Sequence, residues 1–173
     1  MGIFLNKAIG FFIPYLKKAG IGQKMIVYAG NSWHSERLKQ EFEDEIDKRL
    51  QFILFAFAER LEYRKEGTLV ITHLIRTQKE QDAIYTSEKM DPKIRKQYLA
   101  HPFFSVHQYG RGADIGVADI KNPEKEVEWL NERISYNGDL DKPTAILENL
   151  GFGRHIHIQV TGLSIGVMGT ILK

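Results

Sequence analysis

Ser105-Val-His107-Gln-Tyr109-Gly110-Arg-Gly112-Ala113-Asp114 is answered near the other end of the chain by His155-Ile-His157-Ile-Gln159-Val160, and these two stretches decide the fold. The second alternates strictly. As a strand it places His155, His157 and Gln159 on one face and Ile156, Ile158 and Val160 on the other, so imidazoles face a cleft and aliphatics face a core. In the first stretch the glycines at 110 and 112 let the backbone turn tightly, which brings His107 and Asp114 toward one point. Imidazole nitrogen and carboxylate oxygen both suit Zn²⁺, and a catalytic zinc keeps three protein ligands so that a fourth position stays open. His107, Asp114 and His157 form such a set for one zinc ion. His34 and His101 are read as surface or satisfied core histidines.

The flanking sequence supplies the frame. From Ser35 to about Arg64, Leu38, Phe42, Ile46, Leu50, Ile53, Phe57 and Leu61 recur at three- and four-residue steps, which predicts one long amphipathic helix whose stripe is core. After Gly67, Thr68-Leu-Val-Ile-Thr-His-Leu-Ile75 is rich in β-branched residues and reads as a buried strand ended by Arg76. Thr77-Gln-Lys-Glu80 has the form of a capping box, so a helix should start there and hold Arg76 at a strand-to-helix junction. Asp91-Pro92 and Asn122-Pro123 predict helices near 92–100 and 123–134. Residues 143–150 are expected to form another, stopped by Gly151, and residues 113–118 a short strand. Strands and helices do not alternate regularly, so the fold class is α+β, with helices packed on a small, mainly antiparallel sheet.

At 173 residues the chain is large enough to bury a core as one domain. Zero cysteines exclude a disulfide framework, thiolate zinc ligands and a cysteine nucleophile. A formal charge of +2, with no concentrated Lys/Arg tract carrying interleaved aromatics, argues against nucleic acid as partner. Residues 1–30 form an apolar segment. Its run from Ile3 to Leu16 is interrupted by Asn6, Lys7 and Pro14 and is too short to span a bilayer as one helix. A docking helix is expected there, with a signal or membrane-surface role as the alternative, and residues 31–173 are expected to be a single folding unit.

Ser-x-His, six residues, Asp, followed by a terminal His-x-His strand, resembles the zinc D-Ala-D-Ala carboxypeptidases and L-alanyl-D-glutamate endopeptidases. These enzymes cleave stem and cross-bridge peptides of bacterial peptidoglycan, are common as phage endolysins, and share a fold with the Hedgehog signalling domain. The segment Ile71-Thr-His-Leu-Ile-Arg76-Thr-Gln-Lys-Glu-Gln81 is similar to that family's strand ending in an arginine, and the resemblance covers roughly residues 68–160. It implies a metallopeptidase in which His107, Asp114 and His157 bind zinc and Arg76 contacts the scissile carbonyl or its tetrahedral successor. It also implies action on the cell wall, as a phage lysin released at lysis or as an exported or virion-associated protein. Beside this set, His155 is a candidate for the catalytic machinery, Ser105 for orienting the loop or contacting substrate, Tyr109 for the entrance, and Gln159 for substrate binding.

The chain departs from the family at one position. Three residues before the last zinc histidine the family places its catalytic carboxylate, and here that residue is Arg154, which cannot accept a proton. Glu148 is the nearest upstream acid, but it falls on the helix expected at 143–150. Two functions therefore stand: a zinc peptidase, or a catalytically silent zinc-binding module that binds peptidoglycan or a protein partner.

Overall fold

Asn31 starts the first helix: its side chain accepts the His34 N–H, satisfying one of the free donors at the terminus of α1 (Ser32–Gln40). A computed structural model describes residues 25–87, 92–93, 103–133, 143–149 and 153–160. The long helix expected from Ser35 is broken. After α1 a π-helical turn covers Glu41–Glu45, Ile46 is extended, and Asp47 caps a second helix, α2 (Lys48–Arg64). The break follows from Asp47, whose carboxylate accepts the Arg49 N–H at 2.9 Å and whose own N–H is drawn to the Gly110 carbonyl at 2.8 Å. The apolar stripe survives because the π-turn and the break together rephase it. Leu38, Phe42, Ile46, Leu50, Ile53, Phe57 and Leu61 are all 3% exposed or less.

β1 (Ile26–Tyr28), β2 (Leu69–His73), β3 (Gly112–Gly116), β4 (Ala145–Asn149) and β5 (Arg154–Gln159) form one sheet in the order β1-β2-β3-β5-β4. β1 pairs with β2 in parallel and every other pairing is antiparallel, so the mainly antiparallel α+β architecture is as expected. β1 precedes residue 30, so the sheet takes in part of the segment set apart in the sequence. α3 (Gln78–Tyr85) begins with the expected capping box at Thr77 and Glu80, and α4 (Pro123–Arg133) with Asn122 accepting the Lys125 N–H. Leu69, Ile71, Ala113, Ile115, Ile156 and Ile158 from the sheet, the α2 stripe and Leu130 of α4 make one buried cluster. Among the described residues no helix is long and apolar enough to cross a membrane. The apolar run at 3–16 lies outside the described residues, as does the helix expected at 92–100 beyond residues 92 and 93, which are helical.

The helix expected at 143–150 is instead strand β4. Ala145 is buried, Leu147 packs on the core, and Ile146 and Glu148 alternate with them, which is a period of two once the segment has a partner. That partner is β5, and Asn131 of α4 binds Ala145 from the other side, donating to its carbonyl at 2.9 Å and accepting its N–H at 2.8 Å. Tertiary pairing overrides the local helix pattern, and Glu148 moves from a helix to the sheet.

Candidate metal centre

His107 sits on a 3₁₀ turn, Val106–Tyr109, closed by Gly110 in the left-handed region at φ 63°. A Cβ at Gly110 would come within 3.0 Å of the Glu45 carbonyl oxygen, and one at Gly112 within 2.8 Å of the Val106 side chain. Both glycines thus let the His107 loop lie against its neighbours before the chain enters β3. Asp114 follows on β3, directly opposite His157 on β5 and His73 on β2. Opposed residues of an antiparallel pair share a face, so Asp114 and His157 are neighbours by register.

The three donor atoms converge. His107 Nε2 lies 3.2 Å from Asp114 Oδ1 and 3.3 Å from His157 Nδ1, and His157 Nδ1 lies 2.9 Å from Asp114 Oδ1. Ligand atoms on a tetrahedron around zinc, at metal distances of about 2.0–2.1 Å, are separated by about 3.3 Å. The triangle therefore has the dimensions of one face of such a tetrahedron, and the group can hold a metal ion. His107 and Asp114 are buried, and the His157 side chain is 12% exposed.

Protonation favours coordination as well. The Leu74 carbonyl, 2.7 Å from His107 Nδ1, can only accept, so Nδ1 carries the proton and Nε2 presents a lone pair to the centre. Burial pushes the His107 imidazolium down, which outweighs the attraction of Asp114 and leaves the ring neutral. Burial opposes ionisation of Asp114, yet the adjoining His107 and His157 rings hold its carboxyl well below the usual range. Asp114 Oδ2 is occupied by Arg76 Nη2 at 2.5 Å, and this leaves Oδ1 for a cation. Arg76 thus points into the centre, where it donates to a carboxylate oxygen of the set. Its Nε is buried with no hydrogen-bond partner among the described residues.

A second carboxylate comes from β4. Glu148 is opposite His155 in register, on the same face as His157, and its Oε2 lies 3.4 Å from His155 Nε2. His155 Nδ1 is tied to the Gly153 carbonyl at 3.0 Å, and its Nε2 is also 3.8 Å from Asp114 Oδ1. Burial pulls the His155 pKa down, but the bond with Glu148 and the charge of Asp114 outweigh it and raise the value. Arg154 belongs to the opposite face with Ile156 and Ile158, and its guanidinium bonds Glu124 of α4.

The remaining candidates are more peripheral. Ser105 is buried, and its carbonyl accepts the Gln108 N–H, a placement that suits loop geometry better than contact with substrate. Tyr109 is exposed on the same loop, with its hydroxyl on the Phe103 carbonyl at 2.7 Å. Gln159 donates to the Pro143 carbonyl at 3.1 Å and so joins the start of β4 to the end of β5. His73 was missed in the sequence. It faces Asp114 across β2–β3 and shares its field with Arg76 and His107, and its position at the end of a strand before Arg76 was the available signal.

No protein-family model matches the chain, and no curated protein matches it. Two solved structures are similar. One is the LdcB LD-carboxypeptidase, described for its peptidoglycan recognition, at 16% identity over 78% of this chain and 76% of that one, with a TM-score of 0.45. The other is DacB from Streptococcus pneumoniae D39, at 14% identity over the same shares, with a TM-score of 0.44. At these values the likenesses carry no argument, and the function must be argued from the side chains.

Proposed function

We propose that this chain is a zinc-dependent peptidase that hydrolyses stem or cross-bridge peptides of peptidoglycan, in the manner of a D-Ala-D-Ala carboxypeptidase or an L-alanyl-D-glutamate endopeptidase. One observation carries the proposal: two imidazole nitrogens and one carboxylate oxygen form a triangle of zinc-ligand size, with a second carboxylate on the same sheet face. The Ser105-x-His107 to Asp114 motif and its resemblance support the substrate class. A zinc ion held by His107, Asp114 and His157 would supply Lewis acidity, polarising a peptide carbonyl and making water a stronger nucleophile. Glu148 is the group that takes the proton from the attacking water, with His155 beside it to hold or pass that proton on. Arg76 keeps Asp114 oriented through Oδ2, and its positive charge lies where a developing oxyanion is stabilised. Glu148 on β4 supports the enzyme reading over the silent module, because it offers a carboxylate where Arg154 does not.

The test is cleavage of synthetic stem peptides by the purified chain with and without a chelator. Chelator-sensitive cleavage that returns with zinc is expected, and Glu148→Gln should abolish most of it while zinc stays bound. A chain that binds zinc stoichiometrically and cleaves no stem peptide would sink the proposal.

A further inference from the structure

The junction between β2 and α3, residues 74–77, is held almost entirely by side chains from elsewhere. Glu41, on the π-turn, accepts the Ile75 N–H through Oε2 at 3.1 Å and Arg37 Nε through Oε1 at 2.6 Å. Arg37 in turn donates through Nη2 to the Ile75 carbonyl at 3.1 Å and through Nη1 to Glu80 at 2.8 Å. Glu80 closes the chain of contacts by accepting the Thr77 N–H at 2.7 Å. The residues so fixed, Ile75 and Thr77, are the two that flank Arg76, and Ile75 also adjoins Leu74, whose carbonyl accepts the His107 Nδ1–H. Arg76 itself donates its N–H to the His107 carbonyl at 3.3 Å.

Packing holds only one side of this junction, where Leu74 is buried in the core and Ile75 packs against it. A cavity of about 390 Å³, lined by Trp33, His34, Arg37, His73, Arg76 and Ile84 among others, undercuts the junction. The Glu41 side chain is only 6% exposed. Buried ionic groups are poor sources of net stability, because desolvation consumes much of the attraction, whereas well-made ones fix geometry through directional bonds. π-turns occur frequently where a functional side chain has been re-aimed. Arg37 holds the Glu80 carboxyl down at about 2, so the outer pair stays ionised near neutrality.

We infer that Arg37, Glu41 and Glu80 form a positioning clamp that sets Arg76 and the His107 ring relative to Asp114. The inference rests on the proposed metal centre and assigns to it three residues outside the ligand set. The measurement is zinc affinity by competition with a chelating dye, alongside thermal unfolding, for the full chain and its variants. Glu41→Gln and Arg37→Lys should each weaken zinc by about tenfold, the low end of what outer partners of metal ligands contribute. Glu126→Gln is the control, because it breaks a pair with Arg60 at 2.5 Å and 1% side-chain exposure, remote from the junction. It should lower the melting temperature at least as much while leaving zinc affinity within about twofold. If Glu41→Gln does not fold, Glu80→Gln, at the exposed end of the clamp, makes the same test.

Unchanged zinc affinity in the clamp variants overturns the clamp, as does an equal loss of affinity in Glu126→Gln. A chain that takes up no zinc overturns the metal centre and the clamp together. Lowered zinc affinity in clamp variants of a chain that cleaves no peptide supports the clamp and overturns the peptidase.

Discussion

Asp114 and Glu126 are both nearly inaccessible carboxylates, and each meets an arginine at 2.5 Å, yet they are used differently. Arg60 takes both oxygens of Glu126, with Nε on Oε2 and Nη2 on Oε1 at 3.3 Å, while its guanidinium stacks on Trp129 at 4.4 Å. Both oxygens of Glu126 are engaged within the fold. Arg76 takes only Oδ2 of Asp114, and Oδ1 faces the nitrogens of His107, His157 and, further off, His155. A saturated buried pair is structural; a half-committed one, surrounded by neutral or titratable nitrogens, can receive a cation.

The sharpest way to break this comparison is to neutralise both carboxylates. Asp114→Asn should lose zinc affinity by more than about 100-fold and lose peptidase activity with it, since it removes a charged ligand atom. Glu126→Gln should keep zinc but lose about 3 kcal/mol of stability in urea titration, the usual cost of breaking a buried pair. The reverse pattern would mean that Asp114 is the structural member.

Next in size is Glu148→Gln. It should lower kcat by about 10²- to 10⁴-fold with zinc affinity little changed, because the change removes a proton acceptor and not a ligand. Stopped assays with zinc titration on the same sample check it. Arg154→Glu, which adds a carboxylate on the other face of β5, should leave kcat within about threefold, since the Arg154 guanidinium pairs with the exposed Glu124. A large gain of activity there would return the proton acceptor to β5.

Zinc itself should distinguish the two carboxylates. At 100 times the dissociation constant, linkage adds about 2.7 kcal/mol to the stability of a chain that binds only when folded. A thermal shift of that size is expected for the natural chain and for Glu126→Gln, and none for Asp114→Asn.

The smallest effect concerns Glu80, which is saturated but lies near the surface. The hydrogen bond from Arg37, outweighing burial, lowers its carboxyl from 4.5 to about 2. A folded-state value below the unfolded one gives stability that is complete above about pH 4.5 and is lost as the pH falls toward 2. Urea midpoints should therefore fall more steeply across pH 4.5 to 2 in the natural chain than in Glu80→Gln. The difference will be modest, because the Glu80 side chain is 42% exposed.

The contrast between the two pairs was only partly legible in the chain. The capping box at Thr77, the alternation of residues 155–160 and the glycines at 110 and 112 are local signals, and each produced the element it predicts. Two errors came from long-range bonds. Asp47 looked like a polar position on a continuous helix until its N–H met the Gly110 carbonyl, more than sixty residues away. Residues 145–149 looked helical until β5 and Asn131 supplied partners for their main chain. With that second error went the position of Glu148, the carboxylate proposed as proton acceptor.

Chemistry and periodicity were readable along the chain: which side chains can coordinate a cation, which strand faces carry them, and which stripe is apolar. These depend on residue type and on repeats of two and 3.6 residues, which are local. What the tertiary structure alone decided was register and partnership. Asp114 met His157, Glu148 came alongside His155, and Arg154 turned toward Glu124, because strand pairing links residues by hydrogen bonds whose sequence separation no local pattern encodes.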